Sequence, residues 1–187
     1  MSKQKIVLLI ISAVLLLLIA VCFLIGYHFF RTIETVSYDI NEWKALQEVH
    51  TYLPTVEDLG AYTDLKFVYR HKDNPFSQPD VYTIRASYSD AEFEKQIDWI
   101  ESTYVFQEAV SIGGKETTEI SASFAIDDFD FRVLSVKEYH MFYPKWMAFV
   151  GISQTDHEIV FIFFQDAALD YIEDSLEDFL IKKCGWE

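Results

Sequence analysis

From Ile6 to Phe30 the chain reads IVLLIISAVLLLLIAVCFLIGYHFF, 25 residues without an aspartate, glutamate, lysine or arginine. At about 1.5 Å of rise per residue, a helix of that length exceeds the roughly 30 Å hydrocarbon thickness of a bilayer. The run is therefore expected to form one N-terminal transmembrane helix, with the lipid bilayer as its partner. A secretory signal has an apolar stretch of about 7 to 15 residues and then a small-residue cleavage site. This stretch is longer and ends in bulky Tyr27, Phe29 and Phe30, which predicts an uncleaved signal anchor. The rings at Tyr27, His28, Phe29 and Phe30 suit the far interface, where an aromatic body lies in lipid and a polar edge in water. Lys3 and Lys5 precede the run, whereas Arg31 is soon followed by Glu34 and Asp39, so the basic-residue bias places the N-terminus in the cytoplasm. The expected layout is a single-pass protein of the plasma membrane. Residues 1–31 form the cytoplasmic tip and anchor, and residues 32–187 form an extracytoplasmic domain.

Two cysteines fit this layout without adding chemistry. Ile19-Ala20-Val21-Cys22 departs from a lipobox at Val21, and the apolar run continues beyond it, as a spanning helix requires. Cys184 lies near the other end of the chain, so a disulfide between the two would need a partner inside the membrane. The 187 residues carry 15 Lys plus Arg against 30 Asp plus Glu, net −15. The first 31 residues hold three bases and no acids, which leaves the body with 12 bases and 30 acids, net −18. Such a surface repels phosphate backbones and excludes nucleic acid as a partner. Disorder is disfavoured as well, because the body holds 10 Tyr, 13 Phe and 4 Trp, enough aromatic surface for a core.

A stalk is expected from Thr32 to Ser37, then a helix opened by the capping-box spacing Asp39-Ile40-Asn41-Glu42. Its stripe is Trp43, Leu46, His50 and Leu53, with Pro54 as terminator, and His50 is expected to pack rather than to act. Leu65, Phe67 and Tyr69 alternate as in a strand, and Val81 to Tyr88 forms the next, with Tyr82, Ile84, Ala86 and Tyr88 on one face. Ser89-Asp90-Ala91-Glu92 repeats the capping-box spacing before a helix with the stripe Phe93, Ile97, Ile100 and Tyr104. Gly113-Gly114 suits a hairpin turn between strands at 105–112 and 115–126. Strands at 129–136, 146–153 and 158–164 follow; Ile159 to Phe164 is apolar on both faces and reads as a covered central strand. A last amphipathic helix is expected from about Ala167 to Cys184, acidic early and basic late. Strands in runs, not in strict alternation with helices, predict α+β: a mainly antiparallel sheet of about six to seven strands with three covering helices.

The nucleophile-elbow, phosphate-loop, dinucleotide and zincin motifs are all absent, and the five histidines are too scattered to make a zinc set by spacing. No catalytic, cofactor-binding or metal residue is assigned, and the chain is expected not to be an enzyme. The one dense acidic constellation is Asp127, Asp128 and Asp130, which could offer oxygen ligands to Ca²⁺. Lacking an EF-hand's glycine and distal glutamate, it reads better as a hairpin turn. His140 sits in an aromatic connecting segment, Glu138 to Lys145, that reads either as a functional loop or, preferably, as a packed cover over the sheet.

Leu53-Pro54, Leu59-Gly60-Ala61-Tyr62, Tyr143-Pro144-Lys145 and Leu169-Asp170-Tyr171-Ile172 together resemble a pattern in uncharacterised single-pass membrane-anchored proteins of Gram-positive bacteria. The resemblance spans most of the body, implies anchoring, and lends no activity and no ligand residue. The expected role is a non-enzymatic interaction or structural protein of the cell envelope, with an envelope protein as partner and no cofactor. The alternatives are a small-ligand or cation-binding module and an enzyme with a dispersed carboxylate site. A pocket with converging polar groups favours the alternatives; a filled core with an exposed apolar patch favours the first reading.

Overall fold

In the computed structural model, residues 3–30, 32–73, 78–112, 118–134, 146–166 and 175–186 are described. The doubly apolar segment near the C-terminus organises the rest. It lies in β9 (Glu158–Asp166), the fourth strand of a seven-stranded sheet of order β1-β2-β3-β9-β8-β7-β6, in which every neighbouring pair is antiparallel. The other strands are β1 (Ile33–Ser37), β2 (Asp64–Asp73), β3 (Pro79–Ser87), β6 (Ser123–Ile126), β7 (Phe129–Val133) and β8 (Trp146–Ser153). The fold is α+β, as the runs of strands predict.

Side chains of β9 divide by parity, because successive residues of a strand point to opposite faces. Ile159, Phe161 and Phe163 join one core with Trp43 and Leu46 of α2 (Asn41–Val49) and Phe93 and Ile100 of α3 (Asp90–Thr103). Val160, Ile162 and Phe164 join the other, which contains Leu176 and Phe179 of α4 (Leu176–Phe179) and Leu180 and Cys184 of the π-helical turn Leu180–Cys184. Helices thus cover both faces. The expected start of the last helix, at Ala167, lies outside the described residues, as do the Gly113-Gly114 turn and His140.

Several boundaries differ from the sequence reading. The expected stalk is an edge strand: β1 pairs with β2 from Ile33↔Asp73 to Ser37↔Tyr69. The strand expected over 115–126 is two. β5 (Thr118–Ser121) pairs with β4 (Ala109–Ile112) in a separate small sheet, whereas β6 joins the main one. Ala122 is the joint, donating its N–H to the Glu108 carbonyl and accepting from Val133 N. Neither capping box closes. Asp39 Oδ1 accepts from the backbone N–H of Asn41 at 3.0 Å, and Ser89 makes no side-chain cap. Glu92 instead holds Lys95 at 2.9 Å, and Glu42 lies over the sheet.

The N-terminal run forms α1 (Lys3–Phe30), 28 residues long, and β1 starts three residues after it ends. Among the described residues no helix is long and apolar enough to cross a membrane; in α1, side chains are described only for Gln4, 14–24, Gly26 and Tyr27. The fold therefore shows a helix where an anchor was expected without showing that it spans a bilayer.

Candidate functional site

Antiparallel register brings polar residues from distant parts of the chain into one row. On the α2 side, Thr35, His71, Asp80, Gln165 and Trp146 lie side by side across β1, β2, β3, β9 and β8. The next row inward is Ser37, Tyr69, Tyr82, Phe163 and Ala148. Asp80 ties the rows together: its Oδ1 accepts from the Tyr69 hydroxyl at 2.7 Å and contacts His71 Nδ1 at 2.9 Å. The Tyr69 and Tyr82 ring centroids are 4.6 Å apart, within the range of favourable aromatic pairs.

α2 lies across these rows and leaves a concavity of about 390 Å³ lined by Glu42, Ala45, Leu46, Val49, His50, Tyr69, Tyr82 and Gln165. His50 is part of this lining, 4.6 Å from the Phe163 ring and 5.8 Å from those of Trp146 and Tyr52. It packs as the sequence suggested, and it lines the concavity as well. Burial raises the Tyr69 and Tyr82 hydroxyls above their ordinary range, and the Asp80 carboxylate adds to this in both, so they remain neutral donors. The feature without a local explanation is Glu42. Its Oε2 is buried and makes no hydrogen bond among the described residues. A carboxylate oxygen withdrawn from water with no partner is costly, so the site is short of a donor or a cation.

A second concavity of about 290 Å³, on the opposite face, contains Lys66, Arg70, Thr83, Arg85 and Trp186. Its guanidinium groups are engaged in holding the C-terminal turn and the sheet. Arg70 Nη1 donates to the Gly185 carbonyl at 2.7 Å. Arg85 is ion-paired with Glu158 and lies 4.9 Å above the Phe129 ring and 5.9 Å above Trp186. We assign this side to structure.

The acidic constellation singled out in the sequence forms a turn. Asp127 and Asp128 connect β6 to β7, with Asp127 in the left-handed region at φ 52°, and Asp130 lies exposed on β7. Among the described residues no three or more His, Cys, Asp or Glu side chains are placed to hold a metal ion. Cys22 is exposed on α1, and Cys184 is buried, its thiol pushed up by desolvation. Neither forms a disulfide.

Glu42, Tyr69, His71, Asp80 and Gln165 were not singled out by sequence reasoning. The available signal was that the inward face of β3 (Tyr82, Ile84, Ala86) continues outward into Asp80, and that of β2 (Phe67, Tyr69) into His71, so apolar alternation turns polar at matching ends. Fold and site together define an α+β domain with a doubly covered antiparallel sheet and an open polar concavity beside its α2 helix. No protein-family model, curated protein or solved structure matches the chain.

Proposed function

We propose that this protein is a single-pass, membrane-tethered extracytoplasmic domain of the bacterial envelope that works by binding and not by catalysis. The observation that carries the reading is α1 itself. It is 28 residues of helix, about 42 Å long at 1.5 Å per residue, and its last 25 residues lack Asp, Glu, Lys and Arg. An exposed helix that is apolar all round has no stable place in water, whereas a bilayer core of roughly 30 Å accommodates it. Val14 to Ile19 are all exposed, with Leu16 at 67% and Leu17 at 66%, so the body does not cover that stretch. Lys3 and Lys5 on the far side support a cytoplasmic N-terminus.

Support for binding over catalysis comes from a filled core and an open concavity, beside which the Asp80 carboxylate already holds Tyr69 and His71 on one oxygen. Alkaline carbonate extraction of membranes tests the tether: the full chain should stay in the pellet and a chain lacking residues 1–31 should not. Protease added to intact, wall-stripped cells should remove the body, leaving the tip protected. Recovery of the full chain in the carbonate supernatant would remove the anchor; protection of the body in intact cells would invert its orientation.

A further inference from the structure

We propose that the concavity beside α2 binds an organic ammonium group, the positively charged head of a small amine or of an amine-bearing lipid. The Glu42 oxygen that makes no hydrogen bond among the described residues supplies the counter-charge. Tyr69 and Tyr82 bring two electron-rich rings to the lining, and a cation within about 6 Å of such a ring face is attracted by the ring quadrupole. Exposed Gln165 adds an amide carbonyl to the lining, which also includes His50. The described lining holds no lysine or arginine to compete for Glu42. A carboxylate in the same lining as two aromatic rings matches a substituted ammonium better than a hydrated metal ion, which would require several oxygen ligands at once.

Topology suggests where the amine comes from. β1 begins at Ile33, three residues after α1 ends, and Thr35 of the polar row is only two residues further on. The polar row beside the site thus extends to the strand that follows α1. The lipid source rests on the tethered reading above, whereas the ammonium site itself does not.

The experiment uses the full chain. In detergent micelles, calorimetric titration with choline and with ethanolamine is compared with 3,3-dimethylbutan-1-ol, the uncharged isostere of choline. In nanodiscs of phosphatidylglycerol with and without phosphatidylethanolamine, native mass spectrometry counts the amine lipid retained per chain. Saturable binding of the free amines but not of the alcohol supports a small-amine ligand. Selective retention of phosphatidylethanolamine without binding of free amines supports the lipid source. In either case Glu42→Gln, which removes the charge and breaks no hydrogen bond at Oε2, should weaken binding roughly tenfold or more. Gln165→Glu, at an exposed lining position, should strengthen it, which keeps the test decisive if the first variant folds poorly. The proposal is overturned if neither amine nor amine lipid binds, if the alcohol binds as well as choline, or if both variants bind like the parent chain.

Discussion

Gly151 shows how much a single hydrogen atom can decide in a sheet this closely packed. It lies on β8 opposite Phe131 of β7, and a Cβ built on it would collide with that ring. Phe131 is fully buried and has little room to yield. Phe124 stacks on it at 5.5 Å, and Trp186 meets it edge-on at 5.1 Å. Gly151→Ala should therefore cost about 2 kcal/mol, the usual scale of overpacking in a filled core. Urea unfolding of the full chain in detergent measures it, and a variant as stable as the parent would show that the ring has another place to go. No sequence rule flags this glycine, because what forbids a side chain there is a residue twenty positions away, brought opposite by register.

Elements divide into those whose determinants are local and those whose partners are not. The inward stripe of α3 and the central place of β9 were readable because each depends on periodicity within one segment. The split at Ala122 was not. Ile120, Ala122, Phe124 and Ile126 all face the same core, so the alternation continues unbroken across the joint while the hydrogen-bonding partner changes. Periodicity reports which face is buried, not which strand lies alongside. The same limit hid the site, whose residues come from α2, β2, β3 and β9 and meet only through pairing register. It also hid β1, a short, mostly exposed edge strand with little apolar pattern. α2 illustrates a tertiary dependence. Nine residues are too few for a stable isolated helix in water, and Trp43, wholly buried, docks it, its Nε1 donating to the Pro54 carbonyl at 2.9 Å. Trp43→Phe keeps an aromatic ring but leaves that carbonyl without its donor, so a loss of about 1 to 3 kcal/mol is expected. If hydrogen exchange in α2 and unfolding of the whole chain are both unchanged, the helix is held by its apolar contacts alone.

At the scale of the whole molecule, the protons held inside the fold set its tolerance of alkali. Burial raises Tyr69, Tyr82, Tyr88 and Tyr104 above their ordinary value of 10.0 and the Cys184 thiol above 9.0; Asp80 adds to the first two, Glu92 to Tyr88 and Asp58 to Tyr104. These groups are neutral when protonated, and the folded state keeps them so. Unfolded, the thiol would lose its proton near pH 9 and the phenols near pH 10, while the folded chain would still hold theirs. The unfolded state then binds fewer protons, so stability falls as pH rises. Below about pH 9 both states are protonated at these sites and the contribution is fully present. The urea midpoint should therefore show no fall from these groups up to about pH 9 and a progressive one above pH 10. Tyrosinate absorbance should show the Tyr69, Tyr82, Tyr88 and Tyr104 hydroxyls ionising only as the chain unfolds. A midpoint that holds steady through that window, or native-state ionisation of these four near pH 10, would show that their hydroxyls reach water without unfolding.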